Sequence, residues 1–222
     1  AELSPADTVV EVGPGLGALT AALASVAGRV IAVEVDPSFA QLLRRRVQGD
    51  QRVAVVEGDI LRLPPAELLA QAGASAPYKL VANLPYNVAA PLIILLLEHE
   101  AAPDRLVFLI QAEMGQRLLA HEGSRNYGGL SVIRALCAEG RILRRVPPEA
   151  FWPVPQVASV VVELLRRAEA LHREALDKVN RSIEISPAYA QAYLNRGVLY
   201  RDVFGAPAAA AADFRKVIHL RP

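Results

Sequence analysis

Asn83-Leu84-Pro85-Tyr86 is the tetrapeptide of this chain that carries the most chemistry. The exocyclic amine of an aminopurine is a poor nucleophile, because its lone pair is delocalised into the ring. A site that uses it must accept hydrogen bonds from both amino hydrogens and so aim the lone pair at an electrophile. An asparagine side-chain oxygen and a backbone carbonyl held by a following proline supply two such acceptors. An adjacent aromatic ring can stack on the base for about 1–3 kcal/mol. A strand-ending loop with a buried tyrosine would use the same residues for packing alone.

Gly13-Pro14-Gly15-Leu16-Gly17 is the second candidate. A glycine turn between strand and helix lets a ligand approach the backbone, since a side chain there would block it. The spacing is Gly-x-Gly-x-Gly, whereas the dinucleotide fingerprint is Gly-x-Gly-x-x-Gly. Glu34 can accept from both ribose hydroxyls of an adenosine under either reading, so these residues point to an adenosine-type cofactor. Asp59 is placed to accept from an adenine amino group, or to cap a helix ahead of Leu61 to Leu63. His99, His121, His172 and His219 have no metal-ligand spacing, so no metal is expected. Cys137 reads as a small buried hydrophobe. Trp152 divides evenly between an RNA contact and corner packing.

The elements that must hold these residues follow a regular alternation. Strands are predicted at Thr8 to Val12, Arg29 to Val35, Arg52 to Glu57, Lys79 to Ala82 and Arg105 to Ile110, with helices between them. Asp36-Pro37 reads as a helix start, and Val88 to Glu100 as an apolar helix. Such an alternation implies a parallel, doubly wound sheet covered on both faces, with ligands beyond the carboxyl ends of the strands at the topological switch point. Gly13, Gly15, Gly17, Glu34, Asp59 and Asn83 all fall at predicted strand ends. A long β-prone segment is expected from Leu130 to Val146, then a proline-rich corner and a strong strand from Val157 to Leu165. Those two late strands would close the sheet as a hairpin.

Composition narrows the classes further. With 222 residues, 53% hydrophobic and 21% charged, the chain can fill an α/β interior, which excludes a disordered tail protein. The net charge of +1 excludes a surface coated in basic residues, although arginines cluster at Arg44 to Arg46, Arg141 to Arg145 and Arg166-Arg167. The longest apolar stretch is too short to cross a bilayer, so no membrane association is expected. A single cysteine and no signal-peptide pattern point to the cytoplasm. The first residues, Ala1 to Pro5, read as the cut edge of a longer chain.

From about Ala168 strand residues thin out. Aligning Pro187 with Pro222 pairs Ala175 with Ala210, Val179 with Phe214, Ile183 with Ile218 and Ile185 with Leu220. This all-helical tail, residues 168–222, resembles a tetratricopeptide repeat, with the small residues and closing proline of that motif. It carries too few repeats to stand alone, so it must lean on the first domain, residues 1–167, or have lost further repeats. A peptide partner is a possible ligand for such a tail.

Several of these segments together resemble one family. Val10 to Thr20, Val33 to Asp36, Gly58-Asp59 and Asn83 to Asn87 are similar to the KsgA-type ribosomal RNA adenine dimethyltransferases. Gln111 to Glu113, Tyr127 to Val132 and Phe151 to Val157 follow in the family's order. The related Erm-type enzymes share the core motifs, and Tyr127 to Val132 fits the KsgA type better. The resemblance implies a Rossmann-like class I methyltransferase sheet using S-adenosylmethionine. By it, Gly13, Gly15, Gly17, Glu34, Asp59 and Asn83 would hold the cofactor. Asn83, Leu84 and Pro85 would hold the target amine, and Tyr86 and Phe151 would sandwich a flipped-out adenine of small-subunit ribosomal RNA. Chemistry would be in-line displacement driven by positioning, twice per base. The family's N-terminal segment lies ahead of the matched region, and Gln156 and Ala158 replace its lysine and aspartate. Two rivals are an assembly factor that holds RNA or the pre-ribosomal subunit without turnover, and a nicotinamide-dependent oxidoreductase. Glycine spacing disfavours the second.

Overall fold

The computed structural model describes residues 1–99, 101–152, 154–167, 177, 179–184, 186–203 and 206–220; the side chains of 86, 87, 98, 202 and 203 lie outside the description. Seven strands form one sheet: β1 Thr8–Val12, β2 Arg29–Glu34, β3 Val53–Glu57, β4 Lys79–Asn83, β5 Arg105–Gln111, β6 Ala138–Val146 and β7 Ser159–Arg166. Their order across the sheet is β3-β2-β1-β4-β5-β7-β6. β1 to β5 run parallel, and β7 inserts antiparallel to both β5 and β6.

The chain leaves β1 toward β2 and β3 on one side, then returns to place β4 on the other. The switch point therefore lies between β1 and β4, as the alternation predicts. Helices α1 Ala18–Ala24, α2 Pro37–Arg46, α3 Pro65–Gln71, α4 Tyr86–Glu98, α5 Ala112–Leu118 and α6 Gly129–Cys137 connect and cover the strands. The larger core packs Val10, Ile31, Leu80, Leu106 and Phe108 against α3, α4 and α6. A smaller one packs Val9 and Val30 against Leu23 and Ala24 of α1.

Local chemistry starts the helices where the sequence places them. The Asp36 carboxylate accepts from the amides of Ser38 at 2.7 Å and Phe39 at 3.3 Å, and Pro37 begins α2 with its φ already set. The three arginines Arg44 to Arg46 occupy the last turn of α2, where cations favour the helix dipole.

The segment Leu130 to Cys137, expected as part of a long strand, is instead helix α6. Its buried residues, Val132, Ile133 and Cys137, recur at helical spacing, and Ser131 closes a turn with the Gly128 amide at 2.8 Å. Helix α6 ends at Cys137 and β6 begins at Ala138 with no loop between, and the β-branched pair Val132-Ile133 favours strand locally, which masks that boundary in the sequence.

The C-terminus is small and helical: residues 179–184, then α7 Ala190–Val198, a wider π turn Leu199–Val203, and α8 Pro207–Leu220. Val198 packs against the larger core, so this end does lean on the sheet domain. Of the positions expected to repeat, Ala175, Ile185 and Pro222 lie outside the described residues. Ala210 is buried, whereas Ile218 is 72% exposed.

Candidate active site

Pairing of β1 with β4 brings two turns face to face. Gly13 follows β1 and Pro85 follows β4, and a methyl group built on Gly13 would stand 3.9 Å from the Pro85 ring. The tetrapeptide is tied to β5 by the Leu84 amide, which donates to the Leu109 carbonyl at 3.2 Å. The Pro85 carbonyl accepts from the amides of Val88 and Ala89 at 3.0 and 3.1 Å, so it belongs to the first turn of α4. Tyr86 opens α4, and its side chain lies outside the described residues.

A cavity of about 420 Å³ opens at this point, lined by Asn83, Leu84 and Pro85, by Leu109 and Ile110 of β5, and by Phe151 and Ser159. That volume lies within the range of small-molecule sites. Phe151 is held by its amide, which donates to Pro148 at 3.1 Å at the end of a short 3₁₀ turn, Pro148–Ala150. Residues 68 positions apart thus line one cavity. Trp152, the next residue, is 94% exposed, which removes the corner-packing alternative.

The Glu34 carboxylate sits on the β2 side of the Gly13 turn and is almost wholly buried. One oxygen accepts from the Gly15 amide at 3.1 Å and the other from the Asp36 amide at 3.0 Å. A carboxylate has about four lone-pair sites, so each oxygen retains one acceptor position. The Gly58 amide donates to the Glu34 carbonyl at 2.9 Å, which draws the β3 turn alongside. Asp59 there accepts from the Leu61 amide at 3.0 Å through one oxygen, and Arg62 approaches the other at 3.4 Å. That bond is a local turn contact; residues 61–63 form no helix.

Gly13 and Gly15 adopt positive φ, and beyond Gly15 nothing stands within 4 Å of where a side chain would begin. Gly17 differs. It is buried, its amide donates to Pro14 at 2.9 Å, and a methyl group on it would stand 2.5 Å from Leu43 of α2. Its place in the structure is the turn and the packing of α1 on α2.

Glu11 is the site residue that the sequence reading leaves out. It is 1% exposed inside β1, and the Thr20 hydroxyl of α1 donates to it at 2.6 Å. Burial pushes its carboxyl up to about 7; the Thr20 hydrogen bond works against that shift, and the nearby charge of Glu34 adds to it. The available signal is an acid within an otherwise apolar strand, directly before a glycine turn. Among the described residues no cluster of histidine, cysteine, aspartate and glutamate could hold a metal ion. No described helix is long and apolar enough to cross a membrane.

The strand order with its reversed β7, the glycine turn after β1 and the acid ending β2 define a Rossmann-like methyltransferase fold. Over residues 1–196 the chain matches the family described as ribosomal RNA adenine dimethylase, and it belongs to that family. A "Ribosomal RNA small subunit methyltransferase A" of Moorella thermoacetica is 42% identical over 172 residues, 75% of this chain and 60% of that protein. The protein of the same name from Streptomyces griseus is 39% identical over 218 residues, 96% of this chain and 72% of that protein. Among solved structures, the 23S rRNA methyltransferase ErmE is 25% identical with a TM-score of 0.69, covering 98% of this chain and 93% of that one. The chain spans 57–63% of the length of several curated relatives. The family match crosses residue 167, where composition changes, and ends within α7.

Proposed function

We propose that this chain methylates the exocyclic amine of adenine in small-subunit ribosomal RNA, twice per base, with S-adenosylmethionine as donor. The observation that carries this reading is the apposition of the Gly13 turn and the Asn83-Leu84-Pro85 turn, with Phe151 lining the same cavity. The names of the relatives support the small subunit as substrate and the adenine base as target.

The residues fit the donor. Glu34 would take the two ribose hydroxyls on its remaining acceptor positions, and the Asp59 carboxylate would take the adenine amino group. Gly13 and Gly15 leave the backbone open where the methionine portion would pass. When bound, the cofactor supplies a methyl group carried on a sulfonium sulfur.

The chain's own part is orientation. Because the Pro85 carbonyl serves α4, the backbone acceptor for the substrate amine is that of Leu84, beside the Asn83 side-chain oxygen. These two acceptors would take the amino hydrogens and turn the nitrogen lone pair toward Gly13. Phe151 would stack on the extruded base, with Tyr86 as the second ring by the family's pattern. Holding the reactants in attack geometry supplies the main part of the rate. The cytoplasm is the compartment that follows.

Residues 168–222 we read as a tetratricopeptide-repeat-like extension that leans on the sheet domain and is able to take a peptide partner. The support is the close approach of α7 and α8, where a side chain on Gly197 would stand 2.6 Å from the Phe214 ring.

Calorimetric titration with S-adenosylhomocysteine and, in parallel, NAD tests the cofactor. Binding of the first alone is expected, and binding of NAD overturns the reading. Labelled methyl groups should then appear on unmodified small subunits and not on large ones.

A further inference from the structure

Trp152 is 94% exposed, although an indole is among the most favourable side chains to bury. It directly follows Phe151, which lines the cavity assigned above to the target base. Two hydrogen bonds of the proline turn fix this stretch of backbone: Ala150 N–H to Pro147 at 3.1 Å and Phe151 N–H to Pro148 at 3.1 Å. Val154 and Val157, 56% and 44% exposed, continue the apolar surface. On the strand that leads into the corner, Arg144 and Arg145 are exposed and have no ion-pair partner among the described residues. They pair in register with Val161 and Val160, two and one positions beyond Ser159 at the cavity wall.

We propose that Trp152 is the stacking platform for the nucleotide next to the target adenine, with Arg144 and Arg145 holding the phosphates of that strand. The inference rests on the function proposed above. A base drawn out of its stack leaves its neighbour without a stacking partner, and a rigid aromatic face beside the pocket replaces it. The planar indole accepts any base, while two unpaired guanidinium groups favour a polyanionic strand over an apolar protein surface. Trp152 acts here as a positioning residue that selects RNA in which both the target and its neighbour can leave the duplex.

Trp152 is the chain's single tryptophan, so its fluorescence reports on this position alone. The probe is a small-subunit ribosomal RNA fragment containing the unmethylated target adenine, added with S-adenosylhomocysteine present. Stacking quenches the fluorescence, and an abasic nucleotide on one side of the target abolishes the quench. With labelled RNA, Trp152→Phe should bind within about threefold of wild type, while Trp152→Ala and Trp152→Leu should lose about 10- to 100-fold. The loss should appear in KM more than in kcat. Replacing Arg144 and Arg145 with glutamine should reduce the salt slope of binding by about 1.4. Binding of the fragment without quenching, or a Trp152→Leu variant equal to wild type, overturns the platform and leaves the methyltransferase reading standing. A fragment that the wild-type chain does not bind at all overturns both.

Discussion

Replacing Glu11 with glutamine should flatten a pH dependence of stability that the wild-type chain carries. Glu11 is buried, and its carboxyl is raised from an ordinary 4.5 to about 7. Between those pH values the folded chain holds a proton that the unfolded chain has released. The wild-type protein therefore loses stability as pH rises through this window and keeps the lower value above it. Two and a half pH units at 1.36 kcal/mol each make the change about 3 kcal/mol. Glutamine has the same size and does not titrate, so any fixed cost of its amide beside Thr20 cancels between pH values. The assay is urea unfolding of both proteins at pH 5 and pH 8. Because part of the change falls below pH 5, the difference in unfolding free energy should move by about 2.5 kcal/mol in favour of Glu11→Gln at the higher pH. A difference that stays constant from pH 5 to pH 8 would refute the claim that Glu11 is a buried carboxyl with a raised pKa at the base of the Gly13 turn.

Three further outcomes follow from the same geometry. Gly17→Ala places a methyl group 2.5 Å from Leu43 at a φ of 80°, and should destabilise the chain by about 2–4 kcal/mol in chemical denaturation. Glu34→Ala removes both proposed ribose acceptors and should weaken S-adenosylhomocysteine binding at least about 100-fold by calorimetry, with unfolding still cooperative. Arg196 makes a two-pronged pair with buried Asp213 at 2.8 Å, so Asp213→Ala should destabilise the helical end by about 3 kcal/mol. Hydrogen exchange should accelerate in α7 and α8 and stay unchanged in β1 to β5.

The sheet was legible because five strand–helix alternations have few ways to fold, and the right-handed crossover places every β1 to β4 turn at one edge. Asp36-Pro37 and the glycine turn announced their own conformations. Helix α6 was not legible, because Val132 and Ile133 favour strands locally while the burial that makes them helical comes from α4 and α5 around them. Gly17 looked like its neighbours Gly13 and Gly15 in sequence, and only the position of Leu43 separates packing from ligand approach. Glu11 passed as one more residue of a strand, since its chemistry comes from depth below the surface. Trp152 gained its meaning from exposure, which no spacing encodes.

The most direct test of the account is nucleoside analysis of ribosomal RNA after incubating this chain with S-adenosylmethionine and small subunits that lack the modification. N6,N6-dimethyladenosine is expected from the wild-type chain, with loss of that product in Asn83→Ala while S-adenosylhomocysteine binding is retained at a reduced level. Cofactor-bound protein that yields no methylated adenine, or that methylates a different base, would contradict it.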